Sequence, residues 1–115
     1  MKFWPENPVI YEINTWVWLH EMSQVYGRKM TLADIPPLEW NSVAGRGIDA
    51  VWLMGVWERS PMGISIASKH KHIQEDLRSA LSDYEPGDNV GSPYCIKQYI
   101  VDRNLGGAEG LAVAR

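Results

Sequence analysis

Residues 47–61, GIDAVWLMGVWERSP, hold a short and almost continuously apolar run from Ile48 to Trp57. A run of that length and composition predicts a strand covered on both faces, as in a parallel sheet. Working upstream, Gly45-Arg46-Gly47 predicts a helix stop, because glycine readily takes the left-handed conformation just past a helix end. The segment before it, from Thr31 through Pro36 and Pro37, predicts a helix with proline in its first turn and with Trp40, Val43 and Ala44 on one face. Further upstream, residues 9–16 are rich in β-branched and aromatic side chains and predict a first strand. Glu12 and Asn14 fall on one side of it, and Tyr11 and Ile13 on the other. That pattern fits a strand lining a polar barrel interior, and equally a half-solvated strand of an antiparallel sheet. Strand, helix, glycine stop and buried strand together make a βαβ unit with a right-handed crossover.

Downstream, residues 58–68 contain Pro61 and Gly63 and predict a loop, and residues 20–30 with Gly27 predict a loop or a short helical turn. Residues 69–81 predict a helix from Ile73, Leu77 and Leu81 at spacings of four. Residues 82–93 are polar and rich in glycine and proline. A last helix is expected to begin at Gly107 or Ala108, with Glu109 in its first turn facing the positive end of the dipole. The connection from the second strand to this helix is about fifty residues long, against about 2–6 for an ordinary loop of this kind. Long, partly helical insertions at the carboxyl end of a parallel strand are where α/β barrels build ligand sites; the other reading is a decorated loop without function.

The chain has 115 residues, enough for one small domain with a core. Its 45% hydrophobic and 22% charged content are those of a globular protein. Six Trp and five Tyr against one Phe supply core filler, and also the amphipathic rings that favour flat polar ligands such as sugars. A net charge of −3 with no basic block argues against a nucleic-acid partner. No apolar run approaches a membrane span, and the opening residues hold no signal-peptide core. The lone Cys95 cannot form an internal disulfide. The expectation is a soluble, cytoplasmic protein.

Three ordered segments then carry a resemblance: VIYEINTWVWL from Val9, GIDAVWLMGVWERSP from Gly47, and GSPYCIKQYIVDRNLGGAEGLAVAR from Gly91 to Arg115. Together they resemble the opening of the catalytic domain of the α-amylase family of glycoside hydrolases. Members of that family begin with a strand of the type YEINTR. They continue with a GIDAVWL second strand and reach a GSPYxxxDYxxVDPxxGTxEDL segment. The resemblance covers most of the chain. It implies an α/β fold that is the N-terminal fragment of a (β/α)8 (TIM) barrel. Residues 1–115 would then be a partial barrel domain with the first two parallel strands, the first helix and a long helical loop insertion.

The resemblance also implies a site. Tyr94 matches the family tyrosine that stacks on the sugar at the cleavage subsite, where an aromatic face complements the C–H face of a pyranose. Trp57, Arg59 and Trp16 are the further candidate substrate-binding residues, expected at strand ends. The chain departs from the family pattern where Gln98 stands for the usual Asp, Arg103 for a proline, and Gly107 for a Thr that caps the helix. Retaining glycosidases need two carboxylates about 5–5.5 Å apart; in this family they lie on the fourth and fifth strands, with a third Asp after the seventh, and all are expected beyond Arg115. No residue here is therefore assigned a catalytic role, Glu12, Asp49 and Glu58 included, and neither cofactor nor metal is expected.

The expected partner is an α-glucan or oligosaccharide substrate, with neither nucleic acid nor membrane, and with the remainder of the barrel or a second copy meeting exposed strand edges. The alternative is a non-catalytic, sugar-binding or partner-dependent partial barrel. Among lesser features, Lys69-His70-Lys71-His72 reads as a solvated helix start and Cys95 as a small loop or core residue. Asp102 and Asn104 read as loop caps or ion contacts.

Overall fold

A computed structural model describes residues 3–115; Met1 and Lys2, at the chain start where no signal-peptide core is read, lie outside the described residues. The described chain is mixed α/β and divides into two compact units. One runs up to Val56 and includes Val101–Arg115, and the other is Trp57–Ile100.

In the first unit, β1 (Ile10–Asn14) pairs in parallel with β2 (Ala50–Met54), Ile10 opposite Ala50 and Asn14 opposite Met54. The expected parallel pair is therefore present, and the antiparallel alternative for the first strand is excluded. The pairing sets two faces. Tyr11 and Ile13 stand opposite Val51 and Leu53, and this face meets the core: Ile13 is 5% exposed, and Leu53 packs against the buried cluster. Glu12 and Asn14 share the other face with Trp52 and Met54. This face is open, and Trp52 is 51% exposed. The expectation of a second strand covered on both faces is thus corrected. Apolar content showed that the strand could be buried, but the described residues cover only the Leu53 side.

Two helices, rather than one, lie between the strands. α1 (Thr15–Tyr26) occupies the end of the expected strand and most of the segment expected as a loop or short helical turn, and is a full helix of 12 residues. The aromatic and β-branched run Thr15-Trp16-Val17-Trp18 imitates a strand, but Thr15, Leu19 and Met22 repeat at helical spacing, and Thr15 and Leu19 are buried. The helix ends in a Schellman motif. The Gly27 N–H donates to the Gln24 carbonyl (3.3 Å) and the Arg28 N–H to the Ser23 carbonyl (3.2 Å), with Gly27 left-handed at φ 65°. α2 (Pro37–Ala44) begins at proline, as expected. Its stop is different from the expected one: Gly45 stays in the right-handed region at φ −67°, and the positive φ falls two residues later at Gly47.

The core is the cluster Leu19, Met30, Leu32, Ile35 and Leu105, flanked by Trp16, Trp18, Met22, Trp40 and Leu111. Trp18 and Trp40 pack with ring centroids 5.0 Å apart. Leu105 enters from a 3-10 turn, Arg103–Leu105, and its carbonyl accepts from the Leu32 N–H at 2.9 Å. That turn is capped by Asp102, whose Oδ1 accepts from the Asn104 backbone N–H (2.8 Å) and side-chain amide (3.0 Å). Asp102 and Asn104 therefore cap the loop. α5 (Gly107–Ala114) follows, with Glu109 in its first turn as expected and no side-chain cap at its start.

The second unit, where the sequence predicts loop, helix and loop, is more regular. β3 (Trp57–Arg59) and β4 (Ile96–Val101) pair as a two-stranded sheet. Ser60 N–H to the Cys95 carbonyl at one end and Asp102 N–H to the Val56 carbonyl at the other, each 2.8 Å, make the ladder antiparallel. One chain ascends as the other descends. Between them lie α3 (Pro61–Lys69), α4 (Lys71–Ala80) and a 3-10 turn, Pro86–Asp88. The loop expectation for residues 58–68 fails because Ser60-Pro61 starts a helix rather than breaking one: Ser60 Oγ accepts from the Gly63 N–H (3.2 Å), and Pro61 takes the first helical position. α4 matches the expected helix. His70 is its N-cap, with Nδ1 accepting from the Ile73 N–H, so the Lys-His-Lys-His stretch is a helix start.

Candidate functional site

Three of the four candidate substrate-binding residues, Trp57, Arg59 and Tyr94, lie in the second unit; Trp16 lies in the first. Their local settings differ, and each follows from a nearby constraint.

Trp57 opens β3 and is half-buried. Its ring meets the Tyr99 ring of β4 edge to face, with centroids 5.7 Å apart and planes at 80°, the arrangement that aromatic quadrupoles favour. Tyr99 is 76% exposed. Next to this pair in the ladder, and from the opposite face of the two-stranded sheet, Glu58 accepts from the Gln98 side-chain amide and stands 3.6 Å from Lys97 Nζ. Gln98 therefore has a clear place here: an amide donates to Glu58, whereas a carboxylate at position 98 would repel it.

Arg59 is 8% exposed, and its Nη1 donates to the Gly91 carbonyl at 2.6 Å. The guanidinium thus ties the end of β3 to the loop that carries Tyr94, 32 positions further on. Gly91 is built for that contact. It sits at φ +91°, and a Cβ there would lie 3.0 Å from Ile64 Cγ1 and 3.4 Å from Arg59 Cβ. Gly91 also donates its N–H to Asn89 Oδ1 at 3.1 Å. Ser92 closes the next turn, accepting the Cys95 N–H on its carbonyl (3.1 Å) and the Tyr94 N–H on its Oγ (3.2 Å). Cys95 lies so near α3 that a Cβ on Gly63 would meet its Sγ at 2.8 Å. The outcome is a backbone fixed from several sides, from which the Tyr94 side chain stands out 75% exposed.

Trp16 is a helical residue of α1, not the strand-end residue expected, and is half-buried. It lines a cleft of about 260 Å³ with His20, Ser23, Lys29 and Asn104 among the other walls. Ser23 is committed to structure there: its Oγ donates to the Leu19 carbonyl (2.7 Å) and accepts from the Met30 N–H (2.9 Å).

Three carboxylates of the first unit are occupied structurally. Asp49 Oδ2 accepts from the Val9 N–H at 2.8 Å, and Asp34 accepts from the Thr31 N–H (2.8 Å) and hydroxyl (2.9 Å). Those bonds hold the Asp34 carboxyl below its usual range, with Arg28 at 3.6 Å adding to the effect. Glu39 accepts from the Tyr26 hydroxyl at 2.8 Å, which raises the Tyr26 pKa. Among the described residues no group of three or more His, Cys, Asp and Glu is placed to hold a metal ion, and no helix is long and apolar enough to cross a membrane. Sequence reasoning passed over Tyr99, although the alternation in Ile96-Lys97-Gln98-Tyr99-Ile100-Val101 is a strand signal that would have displayed it. Comparison with family models, with curated proteins and with solved structures finds no match.

Proposed function

We propose that this chain is the opening segment of a retaining, α-amylase-like glycoside hydrolase acting on α-glucosidic bonds, and that it contributes one wall of the substrate cleft. In this reading β1, β2 and the helices joining them begin a (β/α)8 barrel, and Trp57–Ile100 is the insertion that carries the cleft wall. The observation that carries the reading is Tyr94, an exposed ring on a loop pinned by Arg59. An aromatic face held in place and open to solvent suits the apolar face of a pyranose. Trp57 and Trp16 are further wall residues, and Arg59 acts by holding the Tyr94 loop. The free thiol of Cys95 is compatible with the reducing, cytoplasmic setting that this reading assigns.

No residue of the 115 matches the family's catalytic carboxylates, so the chain is expected to bind α-glucans without cleaving them. Titration of the 115-residue chain with maltotriose, followed by calorimetry, tests this. Binding that Tyr94→Ala removes supports the reading, whereas unchanged binding in that variant refutes it. Turnover of a chromogenic maltooligosaccharide that a single carboxylate substitution in this chain abolishes would refute the non-catalytic role.

A second reading is a partner-dependent, non-catalytic module. It is favoured by the open face of the β1–β2 sheet, where Ile10 and Trp52 are exposed and a parallel sheet is ordinarily covered. Light scattering tests it: a monodisperse monomer argues against an obligate partner, and equally against an orphan barrel fragment with exposed strand edges.

A further inference from the structure

We infer that Tyr99, backed by Trp57, is a second sugar-stacking platform on the β3–β4 hairpin, and that the ligand is therefore an extended oligosaccharide rather than a mono- or disaccharide. This rests on the glucan-binding role proposed for Tyr94.

Three observations carry it. First, Tyr99 is 76% exposed although it lies within a paired strand, and Trp57 braces its ring edge to face at 5.7 Å. A braced ring loses little rotational freedom on binding, which is what an aromatic platform needs. Second, the polar neighbours cancel in charge. Glu58 is countered by Lys97 at 3.6 Å and accepts from Gln98. The Glu58 carboxylate is thus engaged from the other face of the sheet, which leaves the ring without a competing anionic partner from this pair and favours an uncharged ligand over an ionic one. Third, the backbone spacing points to more than one sugar. The three steps from Ile96 to Tyr99 alone cover about 10 Å of strand, and Tyr94 lies beyond Ile96 in the preceding turn. One pyranose cannot lie on both rings, whereas successive units of a linear glucan can.

The test is a ligand ladder of maltose, maltotriose and maltohexaose, titrated against the 115-residue chain and its Tyr94→Ala, Tyr99→Ala and Tyr99→Phe variants. The wild-type chain is expected to bind maltohexaose about three- to tenfold more tightly than maltotriose, the increment of one aromatic contact. Tyr99→Ala is expected to lose that increment while keeping its maltotriose affinity, and Tyr99→Phe, which keeps the ring, to retain it. Tyr94→Ala is expected to weaken every ligand. If Tyr99→Ala keeps the increment, the second platform is refuted while the role of Tyr94 stands. If Tyr99→Ala changes only the sedimentation behaviour of the chain, the ring is a protein contact and the inference is likewise refuted. If no glucan binds the wild-type chain, the underlying reading fails with it.

Discussion

Gly91 is the position at which the candidate site can be broken without touching any residue proposed to meet the ligand. Gly91→Ala introduces a Cβ at φ +91°, a conformation that costs an L-residue about 1–2 kcal/mol. The same Cβ would press on Ile64 Cγ1 at 3.0 Å and Cδ1 at 3.3 Å, and on Arg59 Cβ at 3.4 Å. Relieving these contacts means moving α3 or the Arg59 stem, and with one Cβ pressing on the methylenes and a methyl at 3.0–3.4 Å the crowding costs about 1–2 kcal/mol, the lower part of the usual range. The expected loss is about 2–4 kcal/mol, concentrated in the Arg59–Gly91 connection and the loop behind Tyr94. Amide hydrogen exchange reads this locally. The Ser60 N–H, bonded to the Cys95 carbonyl, should exchange about thirty to several hundred times faster in the variant, since about 1.4 kcal/mol is tenfold. The Leu32 N–H, bonded to the Leu105 carbonyl in the first unit, is the reference and should keep its protection. Gly87→Ala is the matched control: nothing lies within 4 Å of its Cβ position, so its effect should stay within about 0.5 kcal/mol. If Gly91→Ala leaves Ser60 as protected as Gly87→Ala does, the loop is not held as described.

Gln98→Asp places a second carboxylate against Glu58, and should cost about 0.5–1 kcal/mol at neutral pH. The loss should shrink as pH falls and the carboxylates protonate; a cost independent of pH down to about 3 would show that charge is not its cause. Asp34→Asn removes a carboxylate that accepts from both the Thr31 N–H and hydroxyl, and should cost about 1 kcal/mol at pH 7, limited by its partial exposure. Because folding lowers the Asp34 pKa, its contribution is present above the ordinary carboxyl range and is lost as pH falls through the depressed value. Urea midpoints read by tryptophan fluorescence should therefore draw together for wild type and Asp34→Asn as pH falls below the ordinary carboxyl range, and a gap that does not narrow on acidification would refute the assignment.

The parallel β1–β2 pair was legible because its two runs, Tyr-Glu-Ile-Asn and Ala-Val-Trp-Leu-Met, are rich in branched and aromatic residues, and the second is bounded by Gly47 and Gly55. α4 was legible because Ile73, Leu77 and Leu81 repeat on an otherwise charged segment. α1 was not, because Thr15 to Trp18 satisfies strand preference locally, and only the longer helical spacing and the Gly27 stop contradict it. β3 was hidden by its length of three residues, and α3 by the habit of reading Pro61 and Gly63 as breakers when Ser60 makes them a helix start. At the site, Tyr94 stands out by its motif. The bond from Arg59 to the Gly91 carbonyl spans 32 positions, and no local pattern announces it. The exposure of Tyr99 depends on which strand pairs with β4, and that too is a long-range fact.

The two units are stabilised by different means, and the difference bears on how a ligand would act. Among the described residues of Trp57–Ile100, Arg59 is the one buried side chain. The apolar core lies in the first unit, on Leu19, Met30, Leu32, Ile35 and Leu105. The second unit is therefore ordered by polar devices: the Ser60 and His70 caps, the Asp88 carboxylate accepting from the Glu85 N–H at 2.8 Å, the Asn89 and Ser92 turns, and the Arg59 bond to Gly91. Each contributes about 0.5–1.5 kcal/mol net, and none is backed by a large buried apolar area. Segments held in this way open at low free energy. They also gain the most visibly from a ligand that binds only the ordered state, by about 2.7 kcal/mol at a hundred times the dissociation constant. A glucan lying on Tyr94 and Tyr99 would touch the hairpin on both sides of Cys95, where Ser60 closes the ladder. It would therefore stabilise the segment that has the least apolar core of its own.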